Sequence, residues 1–155
     1  MLMGMIAMGN SQLRGVMKLR KAKDSDIGFC AEIRSLPEVY KNCGRVKPLT
    51  KEEFLQTVTK NTQLFIMDNI GYLRFDNFGK NNSAVDIGIA IHTNYHGKGY
   101  GTTALRDGLK EMRKLGTTLF MAKVKIDNIA SQKIFLKNGF IVSNTDNQYV
   151  YFSRS

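Results

Sequence analysis

Ala84-Val85-Asp86-Ile87-Gly88-Ile89-Ala90-Ile91-His92, followed after three residues by His96-Gly97-Lys98-Gly99-Tyr100-Gly101-Thr102, is the stretch that decides how this chain reads. In its first half Val85, Ile87, Ile89 and Ile91 fall on one face and Asp86, Gly88 and Ala90 on the other, the period of a half-buried strand. In its second half the glycines let the backbone turn and approach a ligand closely. The helix expected to follow presents free N–H groups and the positive end of its dipole. Strand, glycine loop and helix N-terminus in that order make an anion site, most naturally for phosphate.

Working outward, Leu105, Leu109, Met112 and Leu115 form a helical stripe ended by Gly116. Leu119 to Ile126 then reads as a strand. Asn128 to Asn138 reads as a helix that buries Ala130, Ile134 and Phe135 and stops at Gly139, and Phe140–Ser143 and Tyr149–Ser153 close the chain as strands. Upstream, Gln63–Met67 and Ile70–Phe75 form a hairpin about Asp68-Asn69, and Gly79 to Ser83 is a further turn. Thr50 and Glu53 make a capping box for a helix with Phe54, Leu55 and Val58 inward. An earlier helix from Asp24 or Ser25 carries Ile27, Cys30, Ile33 and Leu36 and is expected to stop at Pro37. Alternation from Met17 to Ala22 marks the first strand. These elements predict an α+β (mixed α/β) fold, with one mixed, mostly antiparallel sheet of about seven strands flanked by four helices.

The chain has 155 residues, 43% apolar and 23% charged, which suits one globular domain and excludes fibrous and disordered classes. Residues 1–16 read as a leader or extension, poorly ordered, and residues 17–155 as the domain. The leader has no basic residue before its apolar run, so it is a poor signal peptide, and it is shorter than a bilayer span. Cys30 and Cys43 form no metal-binding spacing, so no metal and a cytoplasmic location are expected. The net charge of +10 calls for an anionic partner. Residues 96–137 hold nine Lys and Arg against three Asp and Glu, so the densest excess coincides with the glycine loop.

Neither familiar nucleotide loop fits. Gly97-Lys98 is followed by Gly99 where a Walker loop needs Ser or Thr, and the G-x-G-x-G here opens a late βα unit rather than a first one. His96 through Gly101 instead resembles the Arg/Gln-x-x-Gly-x-Gly/Ala loop of the GNAT superfamily of acyl-CoA-dependent N-acetyltransferases. Asn128, Ser131, Phe135, Gly139 and Phe140 fall in frame with that family's Asn-x-x-Ser/Ala-x-x-x-Tyr-x-x-x-Gly-Phe, and Asp86-Ile87-Gly88 is similar to its Glu-Ile-Gly. The resemblance covers Met17 to Ser155.

The resemblance implies transfer of an acetyl group from acetyl-CoA to a primary amine by direct attack in a ternary complex. It implies that amides from Gly97 to Thr102 cradle the pyrophosphate of coenzyme A, with Lys98 adding charge and His96 a donor. Ile89, Ala90 and Ile91 would lend main-chain groups to the pantetheine arm and an N–H to the thioester carbonyl. Asn128 and Ser131 would contact the same arm and Phe135 would pack beside the thiol, while Asn128 also reads as a simple helix cap and Phe135 as core.

Phe135 stands where many members carry a tyrosine that reprotonates the thiolate. Either the thiolate departs unaided or Tyr149 or Tyr151 supplies the proton. Asp86 is the candidate general base, with a solvated or salt-bridged strand carboxylate as the alternative. Acceptor binding is expected of Arg34, Tyr40, Tyr149 and Tyr151. The run Ile33 to Val39 is similar to one in members that acetylate ribosomal protein N-termini or nucleotide-linked amino sugars. The partner is therefore expected to be a small-molecule or peptide amine, with no nucleic acid and no membrane, on a monomer or homodimer. A silent acyl-CoA sensor and a basic nucleic-acid-binding module, prompted by Arg106, Lys110, Arg113 and Lys114, are the rival classes.

Overall fold

A computed structural model describes residues 18–79 and 83–155. The expected leader, Met17 and the centre of the Gly79–Ser83 turn lie outside the described residues. The chain runs through β1 (Leu19–Lys21), α1 (Ile27–Arg34), α2 (Pro37–Asn42), α3 (Lys51–Thr57), β2 (Gln63–Met67), β3 (Gly71–Asp76) and β4 (Ala84–Ile91). It continues through α4 (Tyr100–Lys114), β5 (Leu119–Lys125), α5 (Ile129–Lys137), β6 (Ile141–Thr145) and β7 (Tyr149–Arg154), with 3-10 turns at Asp24–Asp26 and Thr93–Tyr95. The strands form one mixed sheet in the order β1-β2-β3-β4-β5-β7-β6, and only β4 with β5 is parallel.

Five α-helices are described where the sequence suggests four. Pro37 does end the first helical run, but it also opens α2 from its N-terminal turn while Leu36 before it is extended, at ψ 130°. A proline suits the first turn of a helix, where its missing N–H has no intrahelical acceptor, and it pushes the preceding residue out of the helical region. The capping box of α3 forms as expected, with Thr50 Oγ1 accepting from the Glu53 N–H and Glu53 Oε2 accepting from the Thr50 N–H. Leu55 points outward, 53% exposed, because so short a helix turns only Phe54 fully into the sheet. Leu115 is likewise exposed, since it lies past the last helical residue of α4 as its C-cap.

Both faces of the sheet are covered. On one side α4 and α5 close over Phe75, Val85, Leu105, Met112, Phe120 and Phe152. On the other, α1, α2 and α3 close over Cys30, Ile33, Phe54, Ile66 and Tyr72. Burial of this kind is the main stabilising term, at about 25 cal/mol per Å² of apolar surface removed from water. The feature that positions a site lies in the middle of the sheet. Pairing of β4 with β5 stops at Asp86 opposite Met121, after which β4 runs on to Ile91 and β5 to Lys125 unpaired with each other.

Candidate active site

Backbone direction along β4 follows from its pairing. The Ser83 carbonyl accepts from Thr118 and Leu119 on the β5 side, whereas the His92 N–H donates to Ile70 on the β3 side. Strand groups alternate, so Ile87, Ile89 and Ile91 turn their N–H and C=O toward the place β5 has left, and Ala90 turns its own toward β3. The gap therefore exposes a strip of strand edge that β5 does not pair, of which the Ile91 carbonyl is taken up by His96. Such an edge takes up an extended chain bearing amide groups.

At the end of that strip the loop between β4 and α4 folds back on itself. His96 Nε2 lies 2.7 Å from the Ile91 carbonyl, so Nε2 carries the proton and donates, leaving Nδ1 as the second ring nitrogen. Tyr95 packs edge-on to both His92 and Tyr100, and the Lys98 ammonium lies 5.9 Å from the centre of the Tyr95 ring. Gly97 and Gly99 adopt the left-handed region, at φ 73° and 81°, which a side chain would strain. Gly99 is the N-cap of α4 and offers no side chain to the first-turn amides, so the N-terminus of this fifteen-residue helix is uncapped. Gly101 has a different task, because a Cβ there would strike Ile134 of α5. The α4 and α5 ends are tied by Asn138, whose Nδ2 donates to the carbonyls of Thr102 at 3.1 Å and Ile134 at 2.9 Å.

Two cavities meet at the gap. One, of about 510 Å³, is bounded by the loop, Ile89 to Ile91, Tyr100 to Thr102 and the start of α5. The other, of about 400 Å³, lies between Ile87–Ile89 and Lys123–Lys125 and reaches Arg34, Phe54, Tyr72, Arg74 and Tyr149. Asn42, Cys43, Ile89, Asn128 and Ser131 border both, so the cavities adjoin across the splayed strands. One chamber thus has an uncapped helix N-terminus and the other is rich in charged side chains.

A family model described as an acetyltransferase (GNAT) domain matches residues 17–141. The chain belongs to the GNAT family. Solved structures share its fold. A domain from Methanocaldococcus jannaschii DSM 2661 is 23% identical at a TM-score of 0.78, over 89% of this chain and 97% of that one. Spermidine N-acetyltransferase from Vibrio cholerae, in complex with CoA and spermine, is 14% identical at 0.77, over 90% and 95%. Ribosomal-protein-S5-alanine acetyltransferase from Vibrio fischeri is 19% identical at 0.72, over 88% and 91%. No curated protein sequence matches the chain.

Within this GNAT domain the residues singled out from sequence are distributed unevenly. Ile89, Ala90, Ile91, His96, Gly97, Gly99, Tyr100, Gly101 and Thr102 all border the larger cavity, and Asn128 and Ser131 border both. Asn128 caps α5, its Oδ1 accepting from the Ser131 N–H at 3.3 Å, which leaves its amide Nδ2 as the donor at the junction. Phe135 is both wall and core. It borders the smaller cavity, yet is 2% exposed, stacked on Phe152 at 5.6 Å and edge-on to Phe140 at 5.1 Å.

The acceptor side is divided. Arg34 and Tyr149 border the smaller cavity, while Tyr40 and Tyr151 border neither. The Tyr151 hydroxyl donates to Asp146 Oδ2 at 2.9 Å, and that carboxylate holds the phenol above its ordinary value. Asp86 is exposed near the start of β4, accepts a hydrogen bond from the Asn77 amide and borders neither cavity. The carboxylate that does border the smaller cavity is Asp76, and Arg74 and Thr62 already engage it. Sequence reading missed Arg74, Lys123 and Lys125 as wall residues. Their alternation on β3 and β5 was visible, but which face met a cavity depended on where the strands separate. Among the described residues no cluster of three His, Cys, Asp or Glu could hold a metal, and no helix is long and apolar enough to cross a membrane.

Proposed function

We propose that the protein is an N-acetyltransferase that uses acetyl-CoA to acetylate a primary amine by direct attack in a ternary complex. The observation that carries this reading is the split between β4 and β5, with an uncapped helix N-terminus at one end and a second chamber at the other. Coenzyme A fits what is present. Its pyrophosphate would meet the amides of Tyr100, Gly101 and Thr102, with open space beside Gly97, and its amide-bearing arm would lie along the Ile87 and Ile89 edge. Acetyl-CoA supplies an activated acyl thioester when bound. An N–H of the β4 edge would polarise the thioester carbonyl, and this is worth most where water is excluded. The Vibrio cholerae neighbour is named an N-acetyltransferase and was solved with CoA, and the Vibrio fischeri neighbour is named an acetyltransferase, which supports the reading.

For the amine proton, Asp86 acts through water. It lies two residues before Gly88, on the same strand face, and its carboxylate is already oriented by Asn77. Asp76 is the weaker choice because Arg74 and Thr62 occupy its oxygens. The thiolate departs unaided in this reading: Phe135 has no proton to give and Tyr151 is committed to Asp146, which leaves Tyr149, on the wall of the smaller cavity, as the alternative acid.

The test is to mix the protein with acetyl-CoA and a primary-amine panel and follow free thiol, alongside calorimetric binding of acetyl-CoA. Thiol release that depends on both substrates is expected, and Gly99→Val should weaken acetyl-CoA at least about tenfold, because a branched side chain is strained at that backbone angle. Binding without turnover across the panel would favour a sensor, and absent binding would overturn the reading.

A further inference from the structure

The smaller cavity is walled by Arg34, Arg74, Lys123 and Lys125, against which Asp76 is the one carboxylate. Charge pairing decides what this wall offers a ligand. Arg74 is spent: its Nε and Nη2 donate to Asp76 at 2.8 Å each, its Nη1 donates to Thr57 Oγ1 at 2.8 Å, and Nη2 also donates to the Thr57 carbonyl at 2.8 Å. Arg74 and Asp76 therefore cancel. What is left is positive. Arg34 forms no ion pair with a described carboxylate, and its Nε is buried without a hydrogen-bond partner. The Lys123 ammonium lies 4.4 Å over the Tyr149 ring and forms no ion pair with a described carboxylate, its charge being felt by Asp146, which lies outside the cavity wall. Lys125 reaches the Lys41 carbonyl at 3.5 Å and Asp127 only at 3.9 Å.

A buried donor left unpaired is unfavourable until a ligand supplies the acceptor, and guanidinium groups match phosphate and carboxylate in shape and charge. We propose that the amine accepted by this protein is anionic, carrying a phosphate or carboxylate that binds Arg34 with Lys123 and Lys125 around it. The inference rests on the acetyl-CoA reading above and deepens it by naming the acceptor class. A polycation such as a polyamine meets like charge in this chamber, so the wall selects against it as well as for acidic amines.

Two measurements test it. In the first, kcat/KM is compared for amino sugars carrying a nucleoside diphosphate, for acidic and basic peptides with free N-termini, for neutral amino sugars and for spermidine. Anionic amines should exceed their neutral counterparts at least about tenfold, with spermidine poorest, as expected when charge-assisted hydrogen bonds are gained or lost. Arg34→Gln should raise KM at least about tenfold while kcat and the acetyl-CoA Kd hold, and Arg34→Lys should recover part of the loss. In the second, protein saturated with CoA is titrated with inorganic pyrophosphate, citrate and spermidine while its Tm is followed. Pyrophosphate or citrate should raise the Tm, distinguishing phosphate from carboxylate preference, and Arg34→Gln or Lys123→Gln should abolish the rise.

Preference for spermidine or neutral amines, or no anion effect on the CoA-loaded protein, would overturn the proposal and leave the acetyltransferase reading standing. Failure to bind acetyl-CoA would instead overturn that reading.

Discussion

Asp86 and Asp76 face each other across β3 and β4, yet their surroundings give them different tasks. Asp76 is held by a bidentate arginine and a hydroxyl, whereas Asp86 is exposed and bonded by a single amide. A carboxylate that must receive a proton has to keep an oxygen available. Asp86→Asn is therefore expected to lower kcat at least about a hundredfold, the lower end of the usual range for general-base removal, while acetyl-CoA affinity is unchanged. Steady-state kinetics and calorimetry on the same preparation check this, and an unaltered rate across pH would remove Asp86 from the reaction. Cys30 is the opposite kind of residue. It is fully buried, burial pushes its thiol up to about 12, and it is inert packing in the α1 core.

At the scale of elements, α4 serves two ends. Its N-terminus faces the proposed phosphate position, and its middle lies against β3 where Gly108 allows close approach. A Cβ at Gly108 would strike Leu73 and come within 3.0 Å of Phe75, two side chains fully buried in the core. Higher helix propensity would favour Gly108→Ala, but overpacking opposes it. Overpacking typically costs about 1–3 kcal/mol against roughly 1 kcal/mol gained from propensity. A net loss is expected, seen as a Tm lower by a few degrees in thermal unfolding, and an unchanged or higher Tm would show that α4 can lift away without penalty. Element identity was largely legible: the period of β4, the capping box of α3 and the glycines ending α4 and α5 each dictate local conformation by short-range physics. Pro37 ends the first helix as expected, but α2 escaped the sequence because the same ring that stops one helix is suited to begin another, and only the turn between α1 and α2 reveals it.

Across the whole molecule, Arg20 on β1 joins distant segments. Its guanidinium pairs with Asp26, in the turn before α1, at 2.8 Å and with Asp68, in the β2–β3 hairpin, at 2.7 Å. The Arg20 hydrogen bond holds the Asp26 carboxyl at about 2, against an ordinary 3.8, and Asp68 is lowered in the same direction. A depressed folded-state pKa contributes stability that is present above the unfolded value and is lost as pH falls through the folded one. Thermal stability should therefore fall as pH drops from about 4 to about 2, and Asp26→Asn should flatten that slope while lowering the plateau above it. Melting curves over this range check the prediction, and an unchanged slope in the variant would place the acid sensitivity elsewhere.

By itself the sequence determined the kinds of element, their order, and the glycine loop that ends β4, because strand period, caps and left-handed glycines act within a few residues. It also carried the family resemblance, which lies in residues whose spacing survives without the fold. The tertiary structure decided where β4 and β5 part, which side chains share the chamber opened there, and which of them are already paired. Arg74 and Arg34 look alike as letters, but one is neutralised by Asp76 and the other leaves a buried donor unanswered. That difference is set by long-range packing, since a charge is compensated only by what the fold brings within a few ångströms of it.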